Sequence, residues 1–208
     1  MKWLNKIMSF LVELPFLWIK EVKNIRQKRS FDKIWQKAWL EENYADAENI
    51  QIVAEHYREF DNNSVDFLLY FFFLPIGTVR LILNDPVTSI PVIRDFKIKG
   101  DWQDKKVLEI TLLTVNQSFR KHSRIASLLL MRQFYRYAKQ NNYSSALIAA
   151  DKRLFVLLKR ICVVEQIGEG KIYEGSLTIP ALIDVNAQEE AWRTKNKKLY
   201  QFFIKERL

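Results

Sequence analysis

One cysteine and two histidines are all that these 208 residues hold of those types. A lone Cys162 cannot close an intrachain disulfide, which excludes a disulfide-framed secreted scaffold. With His56 and His122 as the only imidazoles, no Cys/His metal cluster can be built, and no metal ligand is expected. The apolar stretch from Ile7 to Ile19 is 13 residues long and contains Glu13, whereas a spanning helix needs about 20. It is also not followed by the small-residue cleavage site of a signal peptide. Internal repeats and low-complexity tracts are absent. What remains for chemistry is carboxylates, arginines and backbone groups.

Charge is present in quantity but unevenly. Residues 1–40 carry nine Lys/Arg against three Asp/Glu, and residues 191–208 carry six against one. Residues 41–190 carry eighteen against twenty, so a near-neutral body has two basic ends. Basic ends suit an acidic partner, such as an anionic membrane surface or an acidic protein. No helix–turn–helix, zinc-finger or RNP pattern accompanies them, so nucleic acid is not an expected partner. We therefore divide the chain into a basic amphipathic helical segment over 1–40, a near-neutral domain over 41–185 and a basic C-terminal helix over 186–208.

The first thirty residues read as helical. Trp3 and Trp18 with Lys2, Lys6, Lys20 and Lys23 fit an interfacial helix, so peripheral membrane contact through residues 1–28 is one expectation. A helix packed on its own domain or on a second subunit is the other. From Val65 the pattern turns to strands. The runs Val65 to Phe73 and Ile76 to Leu83, separated by Leu74-Pro75, predict a hairpin that ends at Asn84-Asp85-Pro86. Val107 to Val115 is a further strand, and Ser127 to Gln140 has helical periodicity. A short strand over Ser145 to Ala149, a helix over Leu154 to Ile161, and late strands over Val163 to Ile167 and Ile172 to Ile179 complete the order. Hairpins followed by β-α-β-α-β-β imply an α+β class with a mixed sheet and helices on its faces.

Three charged residues stand out against this pattern. Glu109 lies within the apolar strand VLEITLLTV, where it either faces a cleft or occupies the solvent face. Burial in a cleft would raise its pKa toward that of a base. Asp61 opens the loop signal Asp61-Asn62-Asn63-Ser64. Arg80, in mid-strand, is costly to bury alone. It calls for a structural bridge to Asp61 or Glu109, or for a bidentate carboxylate ligand.

Four local sequences in this order resemble the GNAT superfamily of acyltransferases, and within it the long-chain N-acyl amino acid synthases and acyl-homoserine-lactone synthases. They are Glu59-Phe60-Asp61, then Gly77-Thr78-Val79-Arg80-Leu81-Ile82, then Glu109-Ile110-Thr111, then Gly168 with Tyr173-Glu174-Gly175 and Pro180. The resemblance covers roughly residues 55–185. It implies a GNAT fold with a V-shaped acyl-donor cleft between the Val107–Val115 and Ser145–Ala149 strands. It also implies an N-acyltransferase that moves a fatty acyl group from a carrier thioester to the amine of an amino acid or related small molecule. Glu109 and Asp61 become the catalytic candidates, Arg80 and Thr111 the substrate-binding ones. Backbone N–H groups of Leu113, Thr114 and Val115 become candidates for the oxyanion and the donor.

The chain departs from the resembled pattern at three places. Leu112 stands where an arginine is expected. Arg58 stands where the lactone synthases have an aspartate, which argues against an S-adenosylmethionine acceptor. The loop Arg120-Lys121-His122-Ser123-Arg124-Ile125-Ala126 has none of the usual glycines. Without them, close backbone approach to a diphosphate is harder. Arg120, Lys121, Ser123 and Arg124 then suit the single phosphate of an acyl-phosphopantetheine arm and the acidic surface of acyl carrier protein. Acyl-coenzyme A is the other cosubstrate, and no permanently bound cofactor is expected. The enzyme would act in the cytoplasm, including the inner face of the membrane. Two further readings remain open: a small-acyl N-acetyltransferase using acetyl-coenzyme A, and an inactive GNAT-like shell that binds membrane or carrier protein.

Overall fold

The computed structural model describes residues 16–85, 89–102, 104–173 and 175–204. Among these, eight strands form one sheet in the order β1 (Leu17–Glu21), β2 (Ser64–Phe71), β3 (Leu74–Leu83), β4 (Val107–Val115), β5 (Ser145–Asp151), β8 (Ser176–Asp184) and β6 (Val164–Gln166), with β7 (Lys171–Tyr173) also paired to β8. Every pairing is antiparallel except β4 with β5. The helices are α1 (Ile25–Glu41), α2 (Ile50–Arg58), α3 (Pro91–Asp95), α4 (Ser123–Gln140), α5 (Lys152–Ile161), α6 (Val185–Lys195) and α7 (Lys197–Ile204). None of them is long and apolar enough to cross a membrane.

Alternation along the central strands sorts apolar side chains to two cores, one on each face of the sheet. On one face α4, α5, α6 and α7 cover Phe67, Leu69, Val79, Leu81, Leu108 and Ile110. On the other, α1, α2 and α3 bring Phe31, Trp35, Tyr57 and Val92 over Leu68, Ile82, Val107 and Leu147. This is the mixed sheet with helices on both faces that the sequence pattern implies.

The helical expectation for the first thirty residues is corrected in part. Leu17–Glu21 is an edge strand paired with Phe67–Phe71, and the helix begins only at Ile25. Its side chains alternate: Leu17 and Ile19 pack on a core, while Trp18 and Lys20 face outward. A period of two serves an edge strand where an amphipathic helix would need 3.6. Asn24 then caps α1 by accepting from the Gln27 N–H at 2.9 Å, a contact worth about 1 kcal/mol. Residues 1–15, with Trp3, Lys2 and Lys6, lie outside the described residues.

Two late elements also differ. The expected Ile172–Ile179 strand is a tight hairpin, because Gly175 at φ +74° turns β7 into β8. The expected single C-terminal helix is two, broken at Asn196, which leaves helical geometry at φ −155° and ψ 86°.

The parallel pair defines the position of the site. Strands β4 and β5 pair only at Val107–Ser145, Leu108–Ala146 and Glu109–Leu147. β4 continues to Val115 and β5 to Asp151 without pairing to each other, so the two strands fork just past Glu109. Helix α4 starts at Ser123, after a 3-10 turn over Gln117–His122 that follows directly from the open end of β4.

Candidate active site

A cavity of about 100 Å³ lies at the fork. Glu109 lines it and is 2% exposed, and its Oε2 accepts the Val92 N–H at 2.8 Å. Pro91 at the start of α3 leaves Val92 in the first turn, where a backbone N–H has no partner within the helix. The carboxylate takes that role, which fixes Glu109 on the cleft face and removes the solvent-face alternative.

Three residues past Glu109 the strand bulges. Thr111 pairs with Arg80 and Thr114 with Thr78, so Leu112 and Leu113 together oppose Val79. Leu112 has φ +47°, an uncommon conformation for a side chain with a Cβ. Its carbonyl accepts the Thr78 hydroxyl at 2.8 Å. Such a bulge takes backbone groups out of the one-to-one ladder, and both Leu112 and Leu113 line the cavity. Thr114 and Val115 rejoin the ladder opposite Thr78 and Gly77 and are not in the lining, so of the three expected backbone donors only Leu113 stands at the cavity.

The rest of the lining comes from elements far apart in sequence. Trp39, Tyr44, Tyr57, Phe96 and Tyr173 contribute five aromatic rings, and Asp151, Thr111, Ser176 and Thr178 contribute polar groups. Thr111 donates its hydroxyl to Tyr57 Oη at 3.2 Å. Tyr44 donates to Asp151 Oδ2 at 3.0 Å. Burial, followed by the Asp151 carboxylate, raises the Tyr44 phenol well above its ordinary value, so it remains a donor. Asp151 also caps α5, its Oδ1 accepting from Arg153 N and Leu154 N at 2.7 and 2.9 Å. Tyr173 Oη donates to Asp95 Oδ2 at 2.7 Å.

Asp61 and Arg80 are brought together, but not at this cavity. Arg80 is 1% exposed, and its guanidinium donates to Asp66 Oδ1 and Oδ2 at 2.6 and 2.8 Å, to Asp61 Oδ1 at 2.7 Å and to the Tyr57 carbonyl at 2.6 Å. Lys28 Nζ adds contacts to Asp61 at 2.9 Å and Asp66 at 2.8 Å. Burial would raise the Asp66 carboxyl, but the hydrogen bonds and charges of Arg80 and Lys28 outweigh it and hold the group below its usual value. The expectation that Arg80 receives a substrate carboxylate is corrected, because its three nitrogens are already engaged. Asp61 is not in the cavity lining, and its Oδ1 accepts from Arg80 and Lys28. By holding the Tyr57 carbonyl, Arg80 positions the end of α2 from which the Tyr57 ring reaches the cavity.

Thr111 lines the cavity. The backbone of Arg120, Lys121, Ser123 and Arg124 forms the end of the 3-10 turn and the start of α4. Their side chains lie outside the described residues. His56 contacts Arg94 away from the cavity, and burial followed by the Arg94 charge lowers its pKa. Burial pushes the Cys162 thiol up to about 12, which leaves it un-ionised at neutral pH.

Sequence reasoning gave no site role to Tyr44, Tyr57, Asp151 or Tyr173, although Tyr173 stands in the fourth of the resembled local sequences. Asp151 carried a signal, since an aspartate between an apolar strand and the helical Lys152–Ile161 is a helix cap at a strand's end. Tyr44 and Tyr57 carried none, because their convergence depends on how α1, α2 and the loop between them pack.

A sequence model of the family described as N-acyl amino acid synthase FeeM matches residues 31–183. No curated protein matches the chain. Among solved structures, FeeM, an N-acyl amino acid synthase from uncultured soil microbes, is similar at a TM-score of 0.66 and 15% identity, over 84% of this chain and 93% of that one. The CoA-dependent acyl-homoserine lactone synthase BjaI, with SAM and isopentyl-CoA, is similar at 0.59 and 14%, over 85% and 88%. The AHL synthase LasI is similar at 0.57 and 12%, over 92% and 98%. At these identities the likeness to the structures is one of fold.

Proposed function

The chain belongs to the FeeM family of N-acyl amino acid synthases and is an N-acyltransferase, and we propose that it transfers a fatty acyl group from an acyl-carrier-protein thioester to the amine of an amino acid or related small molecule at the β4–β5 fork. The observation that carries this reading is Glu109, a buried carboxylate at the point where the two parallel strands part. Acyl transfer needs a neutral amine, a polarised thioester carbonyl and a site for the oxyanion. Glu109 accepts one proton from the incoming ammonium. The freed nitrogen lone pair attacks the carbonyl carbon, forming the C–N bond. Backbone N–H groups at the Leu112–Leu113 bulge face the developing oxyanion. The C–S bond then breaks, the sulfur leaves with the second nitrogen proton as a thiol, and Glu109 returns its proton to solvent.

Acyl carrier protein as donor is supported by the glycine-free basic stretch Arg120–Arg124, which leads into α4 at the open end of the fork. Cytoplasmic action, with the basic residues 1–28 against an anionic membrane face, accompanies that reading. The small volume of the cavity favours a second reading, a short acyl group delivered by acetyl-coenzyme A.

Incubation of the protein with long- and short-chain thioesters on each carrier, and with a panel of amines, reads both out by mass spectrometry. A preference for the long-chain carrier-protein donor that weakens with salt is expected, because contacts between exposed charges are screened within about 8 Å in physiological salt. Preference for acetyl-coenzyme A would select the second reading. Glu109→Gln should lower kcat by about 10²- to 10⁴-fold with donor binding retained.

A further inference from the structure

We propose that Phe72 and Phe73, at the tip of the β2–β3 hairpin, insert into an anionic lipid bilayer, with Trp18 beside them at headgroup depth. Residues 1–28 supply charge in the reading above; the hairpin tip supplies the element that enters the membrane.

Phe16, Trp18, Phe72, Phe73 and Leu74 are all exposed and gather at one end of the sheet, where Phe73 reaches 91%. Single exposed apolar side chains need no explanation, but a contiguous aromatic patch marks an interaction surface. The turn residues are themselves unusual. Two-residue hairpin turns favour Asn, Asp or Gly where φ is positive, yet Phe72 takes φ +51°. A bulky aromatic held there costs backbone strain, and strain of that kind collects where a site uses it.

The backbone of Phe72 is already paired within the protein. Its N–H donates to the Phe16 carbonyl at 2.9 Å, and its carbonyl accepts the Trp18 Nε1–H at 2.7 Å. Stacking holds the same residues together: Phe72 on Phe16 with centroids 4.0 Å apart, and Trp18 on Tyr70 at 4.2 Å. Pro75, just past the tip, has no N–H to satisfy. A hydrocarbon phase offers backbone groups no hydrogen bonds, so a turn enters it only when they are paired internally. Both groups of Phe72 meet that condition.

Charge around the tip has one sign. Lys20 is exposed on the same face of β1 as Trp18. On the opposite face of the sheet Phe71 packs on Phe119, centroids 5.5 Å apart, which places the Gln117–His122 turn beside the tip. That turn carries Arg120 and Lys121 in its sequence, and residues 16–20, 70–76 and 115–122 contain no Asp or Glu. Apolar rings flanked by basic residues suit the acyl chains and anionic headgroups of a bilayer. An acidic protein surface answers the charges only; the projecting Phe73 ring calls for an apolar phase.

Strand β4 ends at Val115, opposite Gly77 of β3, so the fork opens toward the same end of the sheet. A long acyl chain on a product released there would pass into the bilayer. That consequence rests on the acyl-transfer reading, whereas the docking does not.

Co-sedimentation of the full chain with vesicles of phosphatidylcholine, alone or mixed with phosphatidylglycerol, tests the docking. Binding should be stronger to the anionic mixture, and added salt should weaken that advantage. Phe73→Ser removes a ring that is almost wholly exposed. Thermal unfolding should therefore be unchanged while vesicle affinity falls about tenfold. Phe73→Trp should keep binding, with its added fluorescence quenched by lipids brominated along the acyl chain. Wild-type binding to neither vesicle would overturn the proposal. Full binding by Phe73→Ser would do so too, and would assign membrane contact to other residues. A Phe73→Trp signal untouched by acyl-chain bromines would rule out insertion. Loss in Phe73→Ser of self-association, or of binding to purified acyl carrier protein, with vesicle affinity unchanged would give the patch to a second copy or to the carrier. Acylation assays without vesicles report on the active site separately. Turnover kept by Phe73→Ser while vesicle binding is lost supports the docking, and turnover absent from a vesicle-binding wild type counts against acyl transfer alone.

Discussion

The Arg80 cluster and the Glu109 cavity occupy the same face of the same sheet, on adjacent strands, and both bury charge. In the cluster, each buried charge meets its opposite: Arg80 lies between Asp66 and Asp61, with Lys28 closing the other side. At the cavity, a carboxylate buried to 2% exposure is held by a backbone N–H among aromatic rings and hydroxyls, beside a second carboxylate. The first arrangement satisfies itself and leaves nothing for a ligand. The second lines a cavity at the fork of the two parallel strands. Burial of charge alone therefore does not mark a site; a cavity beside it does.

The largest contrast should come from Arg80→Met and Glu109→Gln made side by side. Arg80→Met leaves Asp66 buried without its main partner and should cost about 3–5 kcal/mol in urea unfolding. Glu109→Gln should change stability by less than about 1 kcal/mol, since the amide oxygen can still accept from Val92, while turnover falls. If both variants lose stability equally, the contrast between a structural and a catalytic charge fails.

Acid should also act on one region first. The folded Asp66 carboxyl is held below its usual value, so its contribution to stability is fully present above the ordinary carboxylate pKa. It is lost as pH falls through that value and on to the depressed one. Thermal unfolding of the wild type should therefore steepen in its pH dependence below about pH 4, the ordinary carboxylate value, and Asp66→Asn should flatten that slope. An unchanged slope would mean that other carboxylates dominate.

Tyr44→Phe sharpens the comparison from the cavity side. Removing the phenol donor from Asp151 should cost about 1.5 kcal/mol, the lower range for a hydrogen bond to a charged group. It should also alter acceptor KM more than kcat. The smallest effect is expected for Asp61→Asn: Asp61 is 41% exposed, and Arg80 keeps its two bonds to Asp66. Surface pairs of this kind are worth about 0–1 kcal/mol, and turnover should be unchanged. A large drop in kcat would restore Asp61 to the reaction.

Much of the fold was legible because it is written in short-range patterns. The β2–β3 hairpin, the β4 strand and the α4 helix follow from apolar runs, turn residues and periodicity, and Glu109 drew notice as a carboxylate out of place on an apolar strand. Leu17–Glu21 was misread because five residues that alternate and follow a proline look much like one turn of an amphipathic helix. What decided it was the free edge of β2. Asp66 drew no notice within the run Val65 to Phe73, and only the pairing of Asp66 with Arg80 across β2 and β3 shows it as the principal partner of that arginine.

By itself, the sequence determined the fold class, the position of Glu109 on a central strand and the local sequences by which the family is recognised. These depend on hydrophobic alternation and on neighbours along the chain. Only the tertiary structure decided that Arg80 and Asp61 belong to one ion cluster, and that Asp151 and five rings from α1, α2, α3, β7 and their flanking residues line the same cavity as Glu109. Whether a charge joins an ion cluster or lines a cavity depends on distances between residues scores of positions apart in the chain, such as the 107 that separate Tyr44 from Asp151. Packing sets those distances, because electrostatic and aromatic contacts act through space and fall off within a few ångströms in a screened medium.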